Sequence, residues 1–212
     1  MRHDRLGNRI GVRDGRRDVG SRGRHVRLGA LRQQIFTRSE QALLSGIRPL
    51  LMTSRPSDAT LKVGFADDHF VEVPGGSATA EATESSVYLT LSLRNVGNGM
   101  AIMHGWRAEL SRDLSSVTRP PVEEFRRLTR DLYVAVGDVS FWQGAYRDPT
   151  EPEFSEVTAR ITARERFFLD ILYGDHQGGQ RVISRFSIIA RGDGAWYATV
   201  VRHWNVDQPD PR

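Results

Sequence analysis

The amino-acid sequence predicts a mainly β chain, an antiparallel β-sandwich or barrel preceded by an amphipathic helix and a disordered basic tail. Three observations carry that expectation. Past Pro49, short apolar runs return at regular spacing; turns rich in glycine and aspartate separate them; and no strand–helix–strand alternation occurs that would build a parallel sheet.

The elements follow in order. Residues 1–27 hold nine arginines and five glycines with few large apolar side chains. Such a stretch cannot bury enough surface to offset the entropy of ordering it, so a disordered tail is expected. Over 28–48, Leu28, Leu31, Ile35, Ala42, Leu43 and Ile47 recur at near-helical spacing, which predicts an amphipathic helix. Pro49 should stop it, because the residue before proline is pushed out of the α region. The β domain then spans 49–207, leaving a C-terminal tail at 208–212. Within it "LKVGF" and "FVEV" flank Asp67-Asp68 as a hairpin. "VYLTLSL" alternates, with Val87, Leu89, Leu91 and Leu93 on one face. Further runs lie at 101–110, 130–136 and 139–146. "PPVEEFRRL" suits a short helix start with proline in its first turn. "EFSEVTARI" suits a second helix, with Phe154, Val157 and Ile161 on one side. "RFFLDILYG", "RVISRFSII" and "WYATVVRHW" form a three-strand meander turned by "DHQGGQ" and "RGDG".

Three glycine-bearing stretches invite a ligand-binding reading. "GNG" supplies Gly97 and Gly99 of a dinucleotide fingerprint, but the third glycine position is Ile102 and Ala101 comes one residue early. Ile102, His104, Trp106, Ala108 and Leu110 then share the parity of a strand face, so no helix N-terminus is offered to a pyrophosphate. A turn or bulge with Gly or Asn at positive φ is the expectation. Gly174 to Arg181 has P-loop glycine spacing, yet Gln180 and Arg181 stand where lysine and Ser/Thr are needed, and an extended run follows. Arg191-Gly192-Asp193 spells an adhesion tripeptide, which the turn chemistry of Asp193-Gly194 already explains.

Candidate chemistry is sparse. His104, His176 and His203 lie on separate segments, with Asp170 and Asp175 nearby in sequence, and a two-His-one-carboxylate metal site could in principle assemble from them. Strand parity instead makes His104 a core residue, His203 a surface one and His176 a loop one. Asp67-Asp68 and Glu123-Glu124 fit a turn and a helix start. Trp106, Trp142, Trp196 and Trp204 all fall in strands, with Trp196, Val200 and Trp204 sharing a face that reads as core. No catalytic, cofactor-binding or metal residue is therefore assigned, and no cofactor is expected. The chain has no cysteine, which excludes disulfides, thiolate metal sites and cysteine nucleophiles.

Net charge is uneven. Residues 1–48 carry 12 Arg against 4 Asp/Glu, a balance of +8, so the total of +4 leaves −4 for the rest. No apolar run reaches the ~18 residues of a membrane span, and the N-terminus lacks the apolar stretch of a secretory signal. As written, the chain is expected in the cytoplasm, with peripheral or anchored membrane association if the true start lies upstream.

"IRPLL", "LRNVGNGMAIMHGW", "ILYGD…RVISRF" (Ile171 to Phe186) and "VVRHW" resemble a group of uncharacterised bacterial proteins. In that group a juxtamembrane helix precedes an Ig-like β-sandwich. The resemblance runs from about Ile47 to Trp204. It implies an Ig-like fold and no catalytic residues; the group's hydrophobic N-terminal anchor is replaced here by the arginine-rich head. The functional expectation is a non-catalytic interaction module for a protein partner, set at the envelope. The alternative is a binder of nucleic acid or anionic membrane through residues 1–27. Third comes a hydrolase with a His/Asp site drawn from His104, His203 and Asp175.

Overall fold

The computed structural model describes Leu43 and residues 46–110 and 118–210. The tail over 1–27 and the helix over 28–48, save its last few residues, lie outside the described residues. Eleven strands and one α-helix follow, β1 (Leu51–Thr53), β2 (Leu61–Gly64), β3 (Phe70–Val73), β4 (Ser77–Ala82), β5 (Val87–Asn95), β6 (Ala101–Glu109), β7 (Arg126–Val134), β8 (Val139–Tyr146), α1 (Pro152–Thr162), β9 (Phe167–Gly174), β10 (Arg181–Ala190) and β11 (Trp196–Asn205). Glu123 and Glu124 sit in a single 3-10 turn, Val122–Glu124, that leads directly into β7.

Nine strands make one antiparallel sheet in the order β1-β5-β4-β11-β10-β9-β6-β7, with β8 on the free edge of β5. β4 and β1 share the opposite edge of β5, pairing with Val87–Leu91 and Leu93–Asn95 in turn. The strands thus form one continuous curled sheet, and two separate stacked sheets are not what the pairing gives. The curl brings strands from opposite ends of the order together: Trp106 of β6 meets Trp142 and Tyr146 of β8 edge-on, at 5.2 and 5.1 Å between ring centroids. Inside the curl lies the main core, including Val87, Leu89, Leu91 and Leu93 on the face their alternation predicts. α1 adds Phe154, Val157 and Ile161 to it. Proline in the first turn starts this helix, and Arg164 at φ 52 ends it. The β2–β3 hairpin packs Val63, Phe65, Val71 and Val73 on Tyr88, which covers the second face of β5.

Two strands carry one extra residue each, and both overturn a parity argument. In β6 the register skips between Met103 and Gly105, so His104 is a bulge and is exposed. Ala101 and Met103 enter the core before it and Trp106 after it, so the shared face of Ile102, His104 and Trp106 does not exist. In β11, Arg185 pairs with Arg202 and Phe186 with Val200, leaving Val201 as the extra residue. Trp196 and Ala198 therefore lie in the main core, whereas Trp204 joins Phe125, Leu172 and Ile183 in a separate cluster.

The glycine stretches are turns, as expected, with one correction. Gly97 and Gly99 do not take positive φ. They are glycines because the chain entering β1 passes against them: a Cβ on Gly99 would stand 1.6 Å from the Ile47 carbonyl oxygen, and one on Gly97 2.4 Å from that of Arg48. In the β9–β10 loop the Asp175 carboxylate accepts from the Gln177 and Gly179 amides. In the Arg191–Asp193 hairpin tip, Arg164 donates to the carbonyls of Arg191, Gly194 and Ala195, which ties that tip to the end of α1. Of the tail at 208–212, Pro209 and Asp210 fold back to bond Asn205.

Candidate binding cleft at the open seam

β7 and β8 are joined by a four-residue turn, 135–138, with Gly137 at φ +79 and the Asp138 amide donating to the Ala135 carbonyl. Such a turn normally continues into a ladder. Here none forms: among the described residues β7 pairs only with β6, and β8 only with β5. Two sheet edges therefore face each other across a cleft of about 220 Å3.

The cleft is lined by four arginines, Arg126, Arg127, Arg130 and Arg147, and, among the described residues, by no carboxylate. Each arginine is held differently. Arg126 lies over the rings of Tyr146 and Trp106, at 4.6 and 5.5 Å, and pairs with Glu151. Arg130 donates to the Gln143 amide oxygen across the seam at 2.7 Å and lies 5.9 Å from the Phe141 ring centroid. Arg147 donates to Asp67 at 3.2 Å, and the Tyr88 hydroxyl donates to the same carboxylate at 2.7 Å. Burial acts to raise the Asp67 pKa, yet these two donors leave it below its usual range. Arg127 is exposed and has no ion-pair partner among the described residues. Below them Trp106 shows one face to the cleft, beside Gly144, where a Cβ would lie 2.6 Å from the Trp142 ring and 2.8 Å from that of Trp106.

The residues singled out by sequence are not brought together here. His104 is exposed at its bulge; the neighbouring protein partly desolvates its ring, and this with the nearby Arg181 lowers its pKa, against the opposite pull of Asp131 and Asp175. His176 is exposed in its loop. His203 is half-buried, a correction to its surface reading, and its Nδ1 lies 2.7 Å from the Ser184 hydroxyl, which in turn bonds the Tyr173 hydroxyl at 2.8 Å. Asp175 is occupied with its own loop, and Asp170 is fully buried in a bidentate pair with Arg185, at 2.7 and 2.8 Å. Burial pushes the Asp170 carboxyl up from its ordinary range while Arg185 and Arg107 pull against it. Among the described residues no three His, Asp or Glu side chains are grouped to hold a metal ion.

Sequence reasoning passed over the arginines of "FRRLTRDLYV". Their signal was present: four charged side chains, at 126, 127, 130 and 131, crowd one strand, and charge along a strand marks an edge. It passed over the Asp170–Arg185 pair because only the β9–β10 register sets those residues opposite each other. Compared with protein-family models, curated proteins and solved structures, the chain matches none. No helix among the described residues is long and apolar enough to cross a membrane.

Proposed function

We propose that this domain is a non-catalytic interaction module that captures an extended acidic segment of a partner protein in the β7–β8 seam. The observation that carries the reading is the pair of unladdered edges lined by four arginines and no carboxylate. Free strand edges offer backbone donors and acceptors to an added strand, and pockets beside them select its side chains. The arginines disfavour a second copy of the same edge, whose charge is alike, and favour acidic side chains. A volume of about 220 Å3 is below the ~300–1,000 Å3 of a drug-sized pocket, which suits a strand dipping a side chain or two into the cleft.

The Ig-like layering and the envelope setting suggested by the resemblance belong to the same proposal: two halves of a curled sheet facing across one core would display the seam at the domain's side. The basic head over 1–27 carries the alternative of nucleic-acid or anionic-lipid binding. Fluorescence anisotropy with a labelled peptide alternating Glu and Thr tests the seam. Binding that weakens with salt and disappears in Arg127→Glu/Arg130→Glu is expected. Binding unchanged by that reversal, but lost when residues 1–27 are removed, transfers the function to the head.

A further inference from the structure

On the face of β9, β10 and β11 turned away from the main core lies a second groove, of about 250 Å3, with no carboxylate among the described residues of its lining. Buried Phe168 and Ser187 line it, Ile189 and exposed Val201 add apolar surface, and Arg166, Arg185 and Arg202 bring three guanidiniums. The bulge at Val201 contributes to this shape, since the extra residue remains 53% exposed.

Two of the three guanidiniums, those of Arg166 and Arg185, keep donors in hand. Arg185 spends Nε and Nη2 on Asp170, which leaves Nη1 outside that pair. Its guanidinium is also fixed between the rings of Phe168 and Trp204, at 5.7 and 5.1 Å. Arg202 lies over Trp204 at 5.7 Å. Arg166 is exposed, with no ion-pair partner among the described residues. The Ser187 hydroxyl is buried without a hydrogen-bond partner, and a buried polar group is seldom left so. A guanidinium fork matches a carboxylate geometrically, and the apolar walls call for a hydrophobic body behind that charge. The volume, under the drug-sized range of ~300–1,000 Å3, favours a ring over a long chain.

We propose that this groove binds a small aromatic carboxylate, its anion held by Arg166 and the Nη1 edge of Arg185, its ring against Phe168 and Ile189. The site is separate from the seam and stands without it. Benzoate titrated into the full chain, followed by backbone amide NMR shifts, is the test. Saturable shifts centred on Phe168, Ser187 and Val201 are expected, with benzyl alcohol and inorganic phosphate each binding at least about tenfold more weakly because each lacks one half of the recognition. Arg166→Ala, an exposed change that leaves the core intact, should weaken benzoate about tenfold. Arg127→Glu/Arg130→Glu should leave it unchanged, so failure here is distinguishable from failure at the seam. Phosphate binding as tightly as benzoate, shifts confined to other strands, or indifference to Arg166→Ala overturns the proposal.

Discussion

β9 and β10 pair continuously from Arg181–Gly174 to Ile188–Phe167 across a six-residue loop, 175–180, whereas β7 and β8, joined by a four-residue turn, share no ladder. Loop length therefore does not decide which neighbours zip together. The paired flank has reasons to close on both faces: apolar side chains such as Leu169, Ile171 and Phe186 on one, and the Asp170–Arg185 bridge on the other. At the seam, Trp106, Trp142 and Tyr146 crowd together beneath, while like-charged arginines line the gap above. Cross-strand opposites bind by tenths of a kcal/mol to about 1 kcal/mol, a term the Asp170–Arg185 flank has and the seam, with its arginines on β7 and the uncharged Gln143, Gly144 and Ala145 on β8, lacks.

The contrast can be broken first on its closed side. Asp170→Ala leaves Arg185 buried and without its bidentate partner, and should cost about 3–5 kcal/mol in denaturant unfolding. On the open side, Gly144→Ala forces a methyl group against two tryptophan rings and should cost about 1–3 kcal/mol by the same measurement. Ser187→Ala removes a buried hydroxyl that has no partner, so the protein should be unchanged or up to ~1 kcal/mol more stable while benzoate affinity falls. Arg127→Glu/Arg130→Glu should leave stability within about 0.5 kcal/mol and remove acidic-peptide binding, which separates the seam's role from its folding. The smallest effect concerns His104. Its folded pKa lies below the ordinary 6.5, so the neutral form is favoured on folding; its contribution is present above that value and is lost as pH falls through and below it. An unfolding series across that range should show the slope, and His104→Gln should flatten it.

Most of the strands were legible because their side chains alternate without interruption. β5, β9 and β10 keep their parity from end to end, and the Asp67-Asp68 hairpin and α1 fall where the turn residues and the Phe154–Val157–Ile161 spacing put them. β6 and β11 misled for one shared reason: a single bulged residue reverses every assignment beyond it, which exchanges the surroundings of His203 and Trp204 and puts His104 in solvent. A bulge leaves little trace in local sequence because it is settled by the partner strand. The seam was illegible for a related reason. Absence of pairing between β7 and β8 depends on rings from β6 and β8 meeting beneath the gap, a relation between residues far apart in the chain.

The segment that leads into β1 is stitched to several strands at once. Arg48 bonds the Asn205 side chain in β11, the Leu50 amide reaches the Asn95 side chain in β5, and the Leu51 amide reaches the Tyr173 hydroxyl in β9. Backbone bonds from Val96 to Leu50 and from Asn98 to Arg48 run alongside. Tension applied to the chain ahead of Arg48 is thus shared among several bonds loaded together, and does not peel one ladder a rung at a time. The domain meets a pull from that end as a rivet meets shear, with the close approach at Gly97 and Gly99 setting how tightly the rivet is seated.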